Sequence, residues 1–412
     1  MQTSSATVKS LSLRQFTAFS EATFHFSPGI NVIIGANATG KSHLLKIIYT
    51  LLKVCEAAHQ RELSSGDKLS EMLTVKLEGV FRFVEAASDL VRKTNDNGAD
   101  QILPKMAEIS LDYARRVRIA ERVRIAERVR IADGVRIADG VRIAETNISC
   151  QIDQEPNGSN LVKVATSNPL PTEPACPTSF GSLIYLPAQE FLSLNQGFIS
   201  AYTKRETAFD ETFYDLSLAL NALPLRRSKL VDVQQEIEFL RELVAGQNSA
   251  KKKIVTQENG RFYLNLPEGE LEAHLVAEGY RKMATLLYLL RNGELGKNSI
   301  LFWDEPEANL NPKLVVKVAE LLQKFAALGM QIFVTTHDYL LSHELSLLAE
   351  YPSQTSAQIK FFALHKPDRL SGVLVEEGKT LAEIEHNPIL NEFTAHYDRE
   401  LLLFQTPPET NE

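Results

Sequence analysis

Gly35-Ala-Asn-Ala-Thr-Gly-Lys-Ser42 decides how the rest of this sequence is read. It matches Gly-x-x-x-x-Gly-Lys-Ser/Thr without exception, a pattern whose glycines let backbone N–H groups wrap a phosphate chain. A chance match in a glycine-containing turn would lack the flanks seen here. Before it, Ile30-Asn-Val-Ile-Ile34 is the β-branched run of a strand buried on both faces. After it, Leu44, Leu45, Ile47, Ile48, Leu51 and Leu52 recur at helical spacing. In that setting Gly35, Asn37, Thr39 and Gly40 belong to the loop around the phosphates, and the helix N-terminus adds partial positive charge. Lys41 reaches the β- and γ-phosphates of a nucleotide such as ATP, and Ser42 offers its hydroxyl to Mg2+.

Two further stretches complete that chemistry. Ser299-Ile-Leu-Phe-Trp-Asp-Glu-Pro-Glu307 is a hydrophobic strand ending in adjacent carboxylates. Asp304 is placed to hold Mg2+ and Glu305 to polarise an attacking water. Acids at a solvated strand end are common, so this signal gains its force from the phosphate loop. Thr335-Thr-His-Asp338 follows the buried run Gln331–Val334, where His337 can hydrogen-bond a γ-phosphate; a lone histidine there also fits a structural role.

Working outward, Leu11, Leu13, Phe24 and Phe26 with Pro28-Gly29 predict two short strands and a turn. Residues 70–190 read as antiparallel β structure, with strands at Thr74–Val84, Glu108–Tyr113, Asn147–Ile152, Leu161–Ala165 and Ser182–Leu186. Residues 94–101 and 167–178 read as loops. From 190 to 292 the pattern turns helical, with an amphipathic segment at Leu230–Val244 and a helix after Gly279. A hairpin signal around Asn259-Gly260 interrupts it. Strands Ile300–Trp303, Gln331–Thr335 and Ile359–Leu364 then alternate with helices 312–327 and 338–349, the rhythm of a mostly parallel sheet.

Composition sets the outer bounds. At roughly 100–200 residues per domain, 412 residues suggest two or three lobes or one large composite domain. An apolar fraction of 44% supports a sizeable core, and a net charge of −8 argues against a general nucleic-acid-coating protein. Cys55, Cys150 and Cys176 are widely spaced and form no zinc or disulfide framework. The N-terminus lacks a signal-peptide pattern and the longest apolar runs are too short to span a bilayer, so a cytoplasmic protein without membrane contact is expected.

Gly35–Ser42, the Asp304-Glu305-Pro306 strand end, the loop Glu307-Ala-Asn-Leu-Asn-Pro312 and His337 occur in the order and context of ABC-type ATPase heads. The chain resembles the branch that includes SMC, RecF and OLD proteins. It is most similar to stand-alone bacterial AAA-family ATPases of this head type, many of which act in anti-phage defence beside an effector gene. That likeness extends through Tyr185-Leu-Pro-Ala-Gln-Glu190, Phe209-Asp-Glu-Thr-Phe-Tyr214 and Asn387-Pro-Ile-Leu390. It implies an α/β fold: a phosphate-loop core sheet with an antiparallel β lobe, plus a helical subdomain. Expected boundaries are 1–190, 191–292 and 293–412, with an insertion at about 114–145. The resemblance maps Asp304 and Glu305 to the Mg2+ aspartate and catalytic glutamate, His337 to the switch histidine, and Gln189 to the glutamine that contacts Mg2+ and water. The signature Leu-Ser-Gly-Gly-Gln is represented by Val276-Ala-Glu-Gly-Tyr-Arg281, which keeps Gly279 but has Ala277 in place of serine. An ATP-sandwich homodimer with slow turnover is implied, controlling a separate effector such as a nuclease or other toxin. The alternative is a RecF-like repair ATPase that clamps DNA itself. Leu230–Val244 is too short for SMC-type arms, and 75 residues after His337 leave little room for an OLD-type nuclease domain.

Arg116–Glu145 stands apart as five copies of a hexapeptide, [Arg/Gly]-Val-Arg-Ile-Ala-[Glu/Asp]. A six-residue repeat turns by about 240° per copy around a helix but fits period two, so an extended β-hairpin is expected. A helix is the rival, because Ala, Arg and Glu favour one. Residues 114–145 carry a net charge of +4 against −12 for the remainder, a basic arm suited to DNA or an acidic partner. Near-identical copies equally fit a short DNA repeat expanded in a tolerant loop.

Overall fold

The computed structural model describes residues 7–61, 66–83, 86–93, 106–118, 141–153, 162–166, 182–226, 230–246, 253–353, 356–368 and 371–405. β1 (Thr7–Phe16) and β2 (Phe19–His25) form an antiparallel pair ahead of β3 (Ile30–Gly35), which is buried throughout. α1 (Lys41–Gln60) starts within the phosphate loop and α2 (Gly66–Phe81) follows it. β4 (Met106–Arg118), β5 (Val141–Asp153) and β6 (Val162–Thr166) extend the first hairpin into a sheet of order β2-β1-β4-β5-β6. β7 (Leu183–Leu186) leads to α3 (Phe198–Thr203), α4 (Glu211–Leu220) and α5 (Gln234–Ala245). β8 (Val255–Glu258), β9 (Arg261–Leu266) and β10 (Gly269–Glu272) make a small antiparallel sheet, and α6 (Glu278–Asn292) follows. Then come β11 (Ile300–Asp304), α7 (Pro312–Ala327), β12 (Gln331–Thr336), α8 (Tyr339–Glu350), β13 (Ile359–His365), β14 (Leu374–Gly378) and α9 (Pro388–Gln405).

The central sheet has the order β14-β13-β3-β12-β11-β7 and is parallel except for β14. Successive side chains of a strand point to opposite faces, so this sheet divides two cores. Ile30, Val32, Ile34, Leu301, Trp303, Ile332 and Val334 face the helical side. Ile33, Ile300, Phe302, Phe333 and Phe362 face α1 and the antiparallel sheet. There Phe302 stacks on Phe333 at 5.0 Å, and Phe26 meets Phe333 edge-on at the same distance. Buried Gln331 ties the lobes together: its Oε1 accepts Val8 N–H at 2.7 Å, and its Nε2 donates to the Val8 and Ser27 carbonyls at 2.8 Å each.

Several expectations need correction. Thr74–Val84 is not a strand, because α2 runs through Phe81. Leu69, Leu73, Leu77 and Val80 bury at helical spacing, and the Thr74 hydroxyl bonds back to the Ser70 carbonyl at 2.8 Å. Valines at 75 and 80 gave the stretch its β appearance. Ser182–Leu186 is a strand, but in the parallel core rather than the antiparallel lobe, since Leu183 to Leu186 pair with Ile300 to Trp303. The helical region carries a third strand, β10, beyond the expected hairpin, and β14 and α9 follow β13. At the hexapeptide array, Arg116, Val117 and Arg118 pair antiparallel with Ile143, Arg142 and Val141, as a hairpin requires. The array between 119 and 140, and the expected loops 94–101 and 167–178, lie outside the described residues. Among the described residues no helix is long and apolar enough to cross a membrane.

Replacing Gln331 with Leu strands the buried amide and carbonyl of Val8. Denaturant unfolding is expected to show a loss of about 1–3 kcal/mol, whereas a purely surface role for Gln331 would leave the midpoint unchanged.

Candidate functional site

α1 begins at Lys41, and its first intrahelical bond runs from Leu44 N–H to the Gly40 carbonyl at 2.9 Å. The amides ahead of Leu44 therefore have no i−4 partner, which makes this helix end receptive to anions. Left-handed backbone at Ala38 (φ +61°) and Gly40 (φ +89°) curls the loop. A Cβ at Gly35 would stand 2.7 Å from Thr39 Oγ1 and 2.9 Å from the Leu364 carbonyl oxygen, so no side chain fits there. Thr39 is buried and donates its hydroxyl to the Ala36 carbonyl at 2.9 Å, bracing the loop from inside. Asn37 is exposed and Ser42 half-buried. Lys41 is buried, with Nζ 2.8 Å from the Gly35 carbonyl and 3.1 Å from that of Ala36. Burial pulls its pKa below the usual lysine value, and the carboxylates of Glu305, Asp304 and Glu307 oppose that pull.

Those carboxylates leave the end of β11. Asp304 Oδ2 accepts the Tyr185 hydroxyl at 3.2 Å, and Oδ1 accepts the Thr335 hydroxyl. Glu305 turns off the strand at φ +46°, a strained conformation for a residue with a Cβ. Its N–H donates to the Thr335 carbonyl at 3.2 Å and to Thr335 Oγ1 at 3.1 Å. Its Oε1 lies 3.2 Å from His337 Nδ1. Glu307 is buried: Oε1 accepts the Thr336 hydroxyl at 2.6 Å and the His337 N–H at 3.2 Å, while Oε2 has no partner. Burial pushes its carboxyl above the usual glutamate value. A carboxylate on Asp304 and a hydroxyl on Ser42 are hard oxygen donors of the kind Mg2+ takes, and the uncovered amides of α1 suit a polyphosphate. These residues thus fit the expected Mg2+ and ATP.

Lys41, Asp304, Glu305 and His337 therefore meet at the carboxyl edge of the sheet. Gln189 is exposed in the loop after β7, the strand beside β11. Its neighbour Glu190 is buried instead, accepting Arg281 Nε at 2.6 Å. Gly279 lies in the first turn of α6, where a Cβ would stand 3.0 Å from Leu310 and Leu314; this close packing accounts for the glycine. One turn along, buried Lys282 donates to the Ala308 carbonyl at 2.7 Å. Burial lowers its pKa against the pull of Glu278, Glu307, Glu190 and Glu305. The sequence motifs containing Tyr185, Glu190, Arg281, Thr335 and Thr336 assign those residues no role of their own, and Lys282 lies outside them. The paired hydroxyls of Thr335-Thr336 ending a buried strand were the one visible signal, since buried hydroxyls need partners.

A phosphate loop, adjacent strand-end acids and a histidine thus share one edge of a sheet whose fold is that of an ABC-type, SMC-like ATPase head. Residues 30–342 match the family described as "AAA domain, putative AbiEii toxin, Type IV TA system", and the chain belongs to that family. Relatives include the DNA replication and repair protein RecF of Limosilactobacillus reuteri (strain DSM 20016), 36% identical over 70 residues, covering 16% of this chain and 19% of the relative. RecF of Desulforamulus reducens is 46% identical over 80 residues, covering 19% and 22%. The chain thus spans about a fifth of the length of the curated relatives it matches. Among solved structures, the Smc head bound to the C-winged helix domain of ScpA aligns with a TM-score of 0.51 at 15% identity. That alignment covers 92% of this chain and 99% of that one, and shows a common fold.

The buried Glu307 carboxyl has a stability signature. Its pKa is raised by folding, so the wild type is destabilised once pH rises above the ordinary value of 4.5, and unaffected below it. Glu307→Gln keeps the Oε1 acceptor and removes the ionisation. The difference in melting temperature between Glu307→Gln and wild type is expected to shift in favour of the variant as pH rises from below 4.5 towards neutrality. A difference that does not change with pH would refute this account.

Proposed function

We propose that this chain binds ATP with Mg2+, hydrolyses it, and uses the cycle as a clamp between two copies that controls a partner effector. The observation that carries the reading is the meeting of Lys41, Asp304, Glu305 and His337 on one sheet edge. Bound Mg–ATP supplies the phosphoanhydride bond and the divalent charge. Lys41 and the first-turn amides of α1 hold phosphate oxygens, Asp304 and Ser42 present oxygens to the metal, and Gln189 faces water from the loop after β7. Glu305 takes the proton from an attacking water, and His337 orients Glu305 through Nδ1; with an N–H on both ring nitrogens it also donates Nε2–H to the γ-phosphate. The α6 N-terminus around Gly279 serves the nucleotide of the opposite copy. With Ala277 where a serine hydroxyl would stand, that contact loses one hydrogen bond to a charged group, worth about 1.5–3 kcal/mol. Turnover is accordingly slow.

The family description, with its toxin and toxin–antitoxin terms, supports an effector-controlling role in bacterial defence. The Smc head in complex with a domain of ScpA offers a precedent for a partner protein on this fold. The local matches to RecF favour a second reading, direct clamping of DNA, in which the basic array at 114–145 would contribute contacts.

Glu305→Gln is expected to lower ATP turnover at least about a hundredfold, the scale of a lost general base. It should leave nucleotide binding intact and give an ATP-dependent dimer by light scattering. Turnover equal to wild type, or a mass indifferent to ATP, would sink the clamp. Salt-sensitive DNA binding by the isolated wild type would favour the RecF-like reading over the effector-holder.

A further inference from the structure

A second cluster of ligand-type side chains lies where β13, β14 and the approach to α9 converge. His365 ends β13, Glu376 lies in β14, and His386 precedes Asn387, whose side chain caps α9 by accepting the Ile389 and Leu390 N–H groups at 3.1 Å each. Register explains the first pair: His365 opposes Leu374 across the antiparallel ladder, so Glu376, two residues on, shares its face. One donor atom from each of the three residues lies within 4.8 Å of the others. The imidazoles of His365 and His386 are stacked, with centroids 4.4 Å apart and planes 9° from parallel. Glu376 Oε2 accepts the N–H groups of Glu385 and His386 at 3.0 Å each, which fixes the carboxylate and turns Oε1 towards His386 Nδ1.

A His386–Glu376 hydrogen bond would account for two members of this cluster. It leaves His365 Nδ1 buried and without a hydrogen-bond partner, and burying such an atom unpaired is unfavourable. A cation among the three accounts for all of them. We propose that His365, Glu376 and His386 form a binding site for a divalent transition-metal ion of the Zn2+ class. Two imidazoles with one carboxylate select such an ion over Mg2+ or Ca2+, which take oxygen donors. With bonds of about 2.0–2.1 Å, a tetrahedral ion needs ligand atoms roughly 3.3 Å apart; binding therefore opens the His386–Glu376 contact, draws His365 in, and turns the stacked imidazoles so that both aim a ring nitrogen at the ion. The fourth position is left to water or a ligand. The site is distinct from the Asp304–Ser42 oxygens, yet close to the loop: Leu364, the residue before His365, pairs with Gly35. The ion would join the β13–β14 hairpin to the first turn of α9.

The test uses the full-length, untagged protein, stripped with a chelator and free of nucleotide. Zn2+ titration by calorimetry, with metal content by mass spectrometry, is expected to give one ion per chain. His365→Ala and His386→Ala should each weaken Zn2+ binding by more than the roughly 10- to 100-fold that loss of a supporting residue costs. Glu376→Gln, which keeps the shape of the side chain, should weaken it in the same direction, and His337→Ala should not. Co2+ bound to wild type should show the visible bands of a nitrogen- and oxygen-ligated ion without sulfur charge transfer, a readout independent of how the variants fold. No binding by the stripped wild type, binding unchanged in His365→Ala and His386→Ala, or a sulfur band would overturn the proposal.

Discussion

The structure depends on β3 being hydrogen-bonded on both sides, to β12 and to β13, in parallel. A strand in that position must be apolar on both faces, and Ile30, Val32, Ile33 and Ile34 are all fully buried. Parallel pairing has a second consequence. Every strand of the core delivers its following loop to the same edge, so groups some 300 residues apart in sequence must converge. Ile34 pairs with Thr336, and Asp304 with Thr335, and these two pairings bring the phosphate loop, His337 and the acids together. The chemistry follows from the ladder, since shifting β11 by one residue would turn Asp304 to the opposite face.

That edge is electrostatically lopsided. Asp304, Glu305 and Glu307 face buried Lys41, and the two glutamates also feel buried Lys282, so three acids meet two lysines. The protein tolerates the excess because the acids are supplied with donors: Tyr185 and Thr335 for Asp304, Thr336 and the His337 amide for Glu307, His337 for Glu305. A bare polyphosphate would add negative charge to an already acidic edge. A divalent cation arriving with it reverses the sign of that interaction, which is why these residues are better suited to a metal–nucleotide complex than to the nucleotide alone.

How much of this was legible in sequence depended on whether a local signal reported a tertiary fact. The phosphate loop, the strand-end acids and His337 were visible because each follows an apolar run long enough to identify its strand. α2 was misread because Val75 and Val80 look β-forming in isolation, whereas the helical stripe Leu69, Leu73, Leu77 is set by packing against α1 and its neighbours. β7 was recognised as a strand, but its sheet was not, because a four-residue apolar segment carries no mark of its partner. Glu190 was overlooked in favour of Gln189 because burial of a glutamate is decided by an arginine 91 residues away.

That distant pairing bears on how the site communicates. Arg281 Nε holds Glu190 in the loop after β7, Lys282 holds the Ala308 carbonyl in the loop after β11, and Gly279 packs on Leu310 between them. Opening the Arg281–Glu190 pair alone would leave a buried charge without its partner, a cost of about 3–5 kcal/mol. The first turn of α6 is therefore more readily carried with those loops than separated from them. Glu305 opens the same loop whose Ala308 carbonyl Lys282 holds, so that loop is tied directly to the first turn of α6. The clamp proposed above would need a linkage of this kind, and buried polar ties provide it more stiffly than apolar packing, which can slide.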